Sequence, residues 1–260
     1  MEKKIKILCI GNSFSQDTTT YMAEIAKSLG YDDVVIANLY IGGCPICKHY
    51  RNIQNDLPAY RYGRNDGSGW EYTPDTKISD AIKAEAWDWI SIQHGSSEGQ
   101  RYTDPACYND LPALVAAVKA LALPTTKIAF NLTWVGEPTF DRPEMIDFGR
   151  DQLALFSAIC RTTQECVVPV KGIDRVVPTG TAVQNARTTE LQERMSRDGY
   201  HLSYDVGRYL AGLTFLQALT ETVVEMVPFR PEGVTEQDAA LILQSSQQAI
   251  RSPYSVSKIQ

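Results

Sequence analysis

Five short apolar runs, with helix-like segments between them, constrain this chain more than any other feature. They are "KIKILCI" (4–10), "DVVIANLY" (33–40), "DWISIQ" (88–93), "KIAFNLTW" (127–134) and "ECVVPV" (165–170). Each is of strand length, and most lack the polar alternation of a half-exposed strand, so both faces are expected to be covered. Between and after them, helices are predicted over Thr18–Leu29 with Gly30 as its stop, Ile78–Ala86, Asn109–Ala122, Glu144–Thr163, part of Asp174–Ala186, Tyr204–Thr220 and Thr235–Ile250. This alternation predicts an α/β fold: a three-layer α/β/α sandwich on a central five-stranded parallel sheet. The long polar and aromatic stretch from Gly42 to about Thr76 interrupts it. Within that stretch "YRYGRNDGSGWEYT" reads as an inserted β-hairpin flap (about 50–76), with Asp66-Gly67 as its turn.

The 260 residues suit one domain, 1–260, since no linker-like tract divides them. A formal net charge of −6, with the basic residues scattered, leaves no footprint for a nucleic-acid backbone. No apolar run reaches the roughly 18 residues a membrane span needs. The apolar stretch behind Met1 is too short for a signal-peptide core. The chain as written is therefore expected to be soluble and cytoplasmic, or periplasmic or secreted had a leader been removed. Six cysteines in so long a chain do not form a disulfide scaffold. "CPICKH" (44–49) has the look of a redox dithiol, but it follows the second strand of a long chain rather than the first of a short one. As Cys-x-x-Cys-x-His it lacks a second ligand pair, so no metal is expected.

Open sheets of this kind place their sites just past the carboxyl ends of the strands. There the sequence offers Gly11-Asn12-Ser13, Gly42-Gly43, Gln93-His94-Gly95-Ser96, Trp134 and, late in the chain, Asp198-Gly199-Tyr200-His201. A serine hydroxyl needs a base within hydrogen-bonding reach to act as a nucleophile. Of the three histidines, His201 has a carboxylate, Asp198, three residues earlier in a glycine-containing loop, where it can fix the imidazole tautomer. His49 and His94 have no such local partner. Ser13 is the expected nucleophile; Ser15 competes with it but suits a helix cap better.

The motifs "IGNSFS", "YIGGC", "QHGSS" and "DGYH", in this order, resemble the blocks of the SGNH (GDSL-type) hydrolase family. So do "VVPTGTAVQNAR" and the closing "DGYHLSYDVGRYLAGLTF", and the resemblance covers nearly the whole chain. It implies a flavodoxin-like fold and a serine esterase that needs no cofactor. It also implies an oxyanion hole from the backbone N–H groups of Ser13 and of the Gly42-Gly43 turn, most naturally Gly43, with a side-chain amide as third donor. The family's usual amide is an asparagine; Gln93 stands at the corresponding strand end, with Asn12 or Asn131 as substitutes. Asn12 also replaces the aspartate of the family's name motif. Candidate substrate-binding residues are Asn12, Gly42, His94, Trp134 and, on the hairpin, Trp70 beside Tyr72, Tyr60 and Tyr62. The expected activity is hydrolysis of short O-acyl esters, acetyl on a carbohydrate favoured. A non-catalytic carbohydrate-binding relative, and a lysophospholipase, thioesterase or acyltransferase of the same fold, are the alternatives, with a dithiol oxidoreductase at Cys44 and Cys47 as a further class.

Overall fold

The computed structural model describes residues 3–97, 99–222 and 224–259. Its first half runs β1 (Lys4–Gly11), α1 (Ser13–Thr19), α2 (Met22–Ser28), β2 (Asp33–Tyr40), α3 (Ile46–Gln54), β3 (Tyr60–Asn65), β4 (Trp70–Thr76), α4 (Ile78–Lys83) and β5 (Trp89–Gln93). The second half runs α5 (Leu111–Leu121), β6 (Lys127–Asn131), α6 (Pro143–Asp147), α7 (Gln152–Cys166), β7 (Arg175–Val177), α8 (Thr179–Ala186), α9 (Val206–Thr220) and α10 (Glu236–Arg251). The strands form one sheet in the order β4-β3-β2-β1-β5-β6-β7. From β2 to β7 all pairings are parallel, giving the five parallel strands expected.

Alternate strand residues feed two cores, as a sheet covered on both faces requires. Ile5, Ile7, Cys9 and Ile36 pack under α1, α2, α7, α8, α9 and α10. Leu8, Ile10, Ala37 and Ile92 pack under α3, α4 and α5. Among the described residues, no helix is long and apolar enough to cross a membrane.

The hairpin forms where Asp66-Gly67 predicts it, but it is not a flap. β3 pairs antiparallel with β2 from Ile36↔Asn65 to Tyr40↔Arg61, and β4 with β3, so the hairpin continues the main sheet as its edge. Three other expectations need correcting. The first helix begins at Ser13, not Thr18, and breaks before α2. The expected long helix over 144–163 is two, α6 and α7, separated by Gly149 and Arg150 in left-handed conformations. The fifth strand is Arg175–Val177, because α7 runs on to Cys166 and Val167–Val170 closes a turn behind it. α3 was not expected, since its apolar signal is only Ile46, Tyr50 and Ile53 at i, i+4 and i+7.

Candidate active site

Ser13 is the first residue of α1, directly behind β1. Asn12 is the cap: its backbone is extended (φ −143°, ψ −154°) and its Oδ1 accepts from Phe14 N at 3.0 Å. The first N–H groups of a helix have no partner within it. No acceptor among the described residues takes the Ser13 N–H, which is left pointing off the helix start where the dipole favours negative charge.

Asn12 does more than cap. It is 2% exposed, and its Nδ2 donates to Cys44 O (3.2 Å) and His94 O (2.8 Å). One side chain thus ties together the loops behind β1, β2 and β5. An aspartate could not do this, having no proton for the two carbonyls. The β2 loop turns at Gly43 (φ +61°), whose carbonyl accepts from Ser96 N (3.0 Å) and Ser97 N (2.9 Å). Gly95 is required opposite, since a Cβ there would overlap the Cys44 backbone. Like that of Ser13, the Gly43 N–H donates to no acceptor among the described residues.

The third element is the loop between Ser196 and Ser203, closed by an antiparallel bridge, Ser196↔Leu202. Asp198 Oδ1 accepts from Tyr200 N (3.0 Å) and His201 N (2.7 Å), folding the loop onto the carboxylate. Asp198 Oδ2 lies 2.7 Å from His201 Nδ1, and His201 Nε2 lies 3.0 Å from Ser13 Oγ. With the proton on Nδ1, Nε2 is the acceptor facing the hydroxyl. Burial would raise the Asp198 pKa, but the hydrogen bonds from the His201 and Tyr200 amides and the His201 ring outweigh it and hold the pKa below the usual carboxylate value. Ser13, Asp198 and His201, expected from the sequence, are brought together on one rim.

Beneath the rim is a layer that sequence reasoning missed. Asp17, one turn past Ser13 on α1, is 1% exposed. It accepts from Arg197 Nη1 (3.0 Å), Arg208 Nε (2.8 Å) and Leu202 N (3.0 Å), fastening the His201 loop to the helix that carries Ser13. Asp17 lies beyond the first turn of α1, and its distant arginines leave no local signal. Phe14 lies between Trp134 (centroids 4.3 Å) and Tyr200 (4.9 Å), and Phe140 stacks on Tyr200 at 4.8 Å.

Six residues singled out in the sequence belong to this lower layer. Gln93 is 2% exposed, with Nε2 donating to Asn12 Oδ1 (2.8 Å) and Oε1 accepting from Asn131 (3.4 Å), so in this structure its amide braces the cap. Asn12 and Asn131 are equally enclosed. His94 is 4% exposed, with Nδ1 2.8 Å from Tyr108 Oη and its ring on Tyr102. Trp134 is fully buried and donates to Tyr200 O (2.7 Å), forming a floor under the loop and lining a small cavity with Phe140 and Arg142. Ser15 is buried, donating to Asn12 O at 2.8 Å. Gly42 is exposed beside Gly43, and Trp70 lines a groove next to α1. Cys44 is buried in the same region, its Sγ 3.6 Å from His49 Nδ1. Among the described residues, no group of three or more His, Cys, Asp or Glu side chains is placed to hold a metal.

Comparison with known proteins agrees with this architecture. Residues 6–249 match the profile of DUF4886, a domain of unknown function, and the chain belongs to that family. The crystal structure of a DUF4886 family protein from Bacteroides uniformis ATCC 8492 is similar at 32% identity and a TM-score of 0.92, over 99% of this chain and 98% of that one. Two others share the fold at lower identity. A lipolytic G-D-S-L family protein from Veillonella parvula DSM 2008 has 14% identity and a TM-score of 0.53, over 84% of this chain and all of that one. An acetyl xylan esterase from Geobacillus stearothermophilus has 15% identity and a TM-score of 0.52, over 87% and 99%. A search of curated sequences gives no match. The fold is thus that of SGNH-like hydrolases, as the sequence motifs imply.

Proposed function

We propose that this protein is a serine esterase that hydrolyses short O-acyl esters, acetyl groups on carbohydrates foremost, through an acyl-enzyme. The observation that carries this reading is the chain Ser13 Oγ, His201, Asp198 at 3.0 and 2.7 Å, with a Ser13 backbone amide that has no acceptor among the described residues. Ser13 Oγ attacks the ester carbonyl as His201 Nε2 takes its proton; Asp198 holds the imidazole and stabilises the imidazolium that forms. The oxyanion falls to the N–H groups of Ser13 and Gly43, each such donor typically contributing about 3 kcal/mol in the transition state. His201 then returns the proton to the departing alkoxide, releasing the alcohol. A water, deprotonated by His201, attacks the acyl-serine, and the acid leaves as Ser13 regains its proton. The acetyl xylan esterase of like fold and the aromatic groove beside α1 favour an acetylated sugar.

A fluorophosphonate probe tests the nucleophile: it should label Ser13 alone, and Ser13→Ala should abolish labelling. A panel of p-nitrophenyl esters should show turnover falling as the acyl chain lengthens beyond acetyl and propionyl. A chain that neither labels nor turns over any ester is a binding protein, and the proposal fails.

A further inference from the structure

Because the hairpin extends the sheet past α1, one face of β2, β3 and β4 is left open beside the nucleophile helix. A cavity of about 110 Å³ lies there, between Gln16 on α1 and Tyr40, Arg61, Trp70 and Tyr72 on the strands. Two of its lining residues, Gln16 and Tyr40, are neighbours of residues at the reactive rim. Gln16 is three residues past Ser13, hence its neighbour along the helix surface. Tyr40 Oη lies 3.4 Å from where a Cβ on Gly42 would be, next to the Gly43 amide.

The lining is built rather than incidental. Trp70 and Tyr72 stand two apart on β4, so they share a face, and their rings are near-parallel (17°, centroids 6.2 Å). Gly63 on the next strand permits this: a Cβ there would come within 2.9 Å of Tyr72 and 3.2 Å of Trp70. Trp70 Nε1 donates to Thr20 O (3.3 Å), fixing the platform against α1. Above it the Arg61 guanidinium lies 4.6 Å from the Tyr40 ring and 5.0 Å from that of Tyr72. No carboxylate among the described residues lies within 4.0 Å of Arg61, although the chain carries a net charge of −6. The two tyrosines hold that cation in place while leaving its N–H donors for a ligand.

We propose that this groove receives the alcohol half of the ester, and that this alcohol is a pyranoside bearing a carboxylate, of the uronic-acid type. The inference rests on the esterase reading for which half of the substrate lies there. A pyranose has an apolar C–H face for Trp70 and Tyr72, hydroxyls for Gln16, and a planar carboxylate that the Arg61 fork can bind with two hydrogen bonds.

The test uses the full chain carrying Ser13→Ala, so that binding is read without turnover. Methyl glucuronoside and methyl glucoside are titrated calorimetrically at low salt and at high salt. The glucuronoside should bind about tenfold more tightly, as one charge-assisted contact allows. High salt should erase the difference. Adding Arg61→Gln should remove the preference, and adding Trp70→Ala should weaken both sugars, with circular dichroism confirming that each variant folds. With Ser13 intact, the ratio of kcat/KM for acetylated glucuronoside over acetylated glucoside should fall about tenfold in Arg61→Gln. Equal affinity for the two sugars, or a preference that survives both salt and Arg61→Gln, overturns the proposal. Binding as described by a chain that turns over no ester would instead uphold the groove and sink the esterase reading.

Discussion

The rim and the layer beneath it use the same kinds of residue in opposite ways. On the rim, the side chains of His201 and Asp198 are 28% and 48% exposed, and among the described residues the Ser13 amide, like that of Gly43, has no acceptor. Below it, His94, Asn12, Asp17 and Gln93 are each 4% exposed or less, and every one is hydrogen-bonded to chain segments that carry the rim. His49, against Tyr60 Oη at 2.8 Å, belongs with the buried set. A histidine is not a catalytic candidate by identity. What separates His201 from His49 and His94 is a local carboxylate on Nδ1 and a second nitrogen that faces the Ser13 hydroxyl. Rim substitutions should therefore remove activity and spare stability, and substitutions below it should do the reverse.

The largest effect expected is on the rim. Ser13→Ala or His201→Ala should lower kcat by about four orders of magnitude or more, with the melting temperature moving by only a degree or two. His49→Gln should leave kcat within a few-fold while lowering the melting temperature by several degrees. A His49 variant as inactive as the His201 variant would break the distinction between the two sets.

Acid should expose the buried histidines next. Burial pulls the pKa of both His49 and His94 down to about 3, with nearby Lys48 and Arg142 adding to it. The unfolded chain takes up these protons near pH 6.5 while the folded one does not, so stability falls as pH drops below that value and continues to fall towards pH 3. At pH 5 the loss is about 2 kcal/mol per histidine. Urea melts between pH 7 and 5 should show this slope, and His94→Gln should remove about half of it. A slope that the variant leaves unchanged would mean that His94 is solvated.

Asp17→Asn crosses the boundary between the two sets. Two arginines then face a neutral amide in a buried setting, which typically costs about 3 kcal/mol. Because Asp17 anchors Leu202 N, beside His201, a displacement of the imidazole by about 1 Å should lower kcat by about a hundredfold. The test is whether kcat falls while KM does not; full activity in a destabilised variant would make Asp17 purely structural.

How much of this was legible in the sequence follows the same boundary. Strand ends and short-range patterns were readable, because Asp198 and His201 are three residues apart and Ser13 directly follows an apolar run. Depth was not. Gln93 ends a strand, and His94 and Trp134 follow strands, of a sheet covered on both faces, where no alternation reveals which side chains turn inward. Asp17 was missed because Arg197 and Arg208 are 180 and 191 residues away along the chain. The fifth strand was misplaced because an apolar run ending a helix looks like one starting a strand. The hairpin was legible from its turn, but its place on the sheet edge depended on the pairing of Tyr40 with Arg61.

Asn12 gives the smallest and most specific test. In the resembling family an aspartate stands at this point of the motif, so Asn12→Asp restores the more usual sequence with almost no change in shape. Here it should nonetheless destabilise by about 2 kcal/mol, because the carbonyls of Cys44 and His94 lose a shared donor and face a carboxylate. Since Gln93 Nε2 and Phe14 N still have an oxygen to donate to, α1 stays capped and kcat should fall less than tenfold. Raising the acidity should restore stability in part, as the new carboxyl takes up a proton and can donate to one of the two carbonyls. Urea melts of both chains down to pH 5 would reveal that recovery as a shrinking gap between them. A variant as stable as the parent at pH 7 would show that the two loops hold their positions without Asn12.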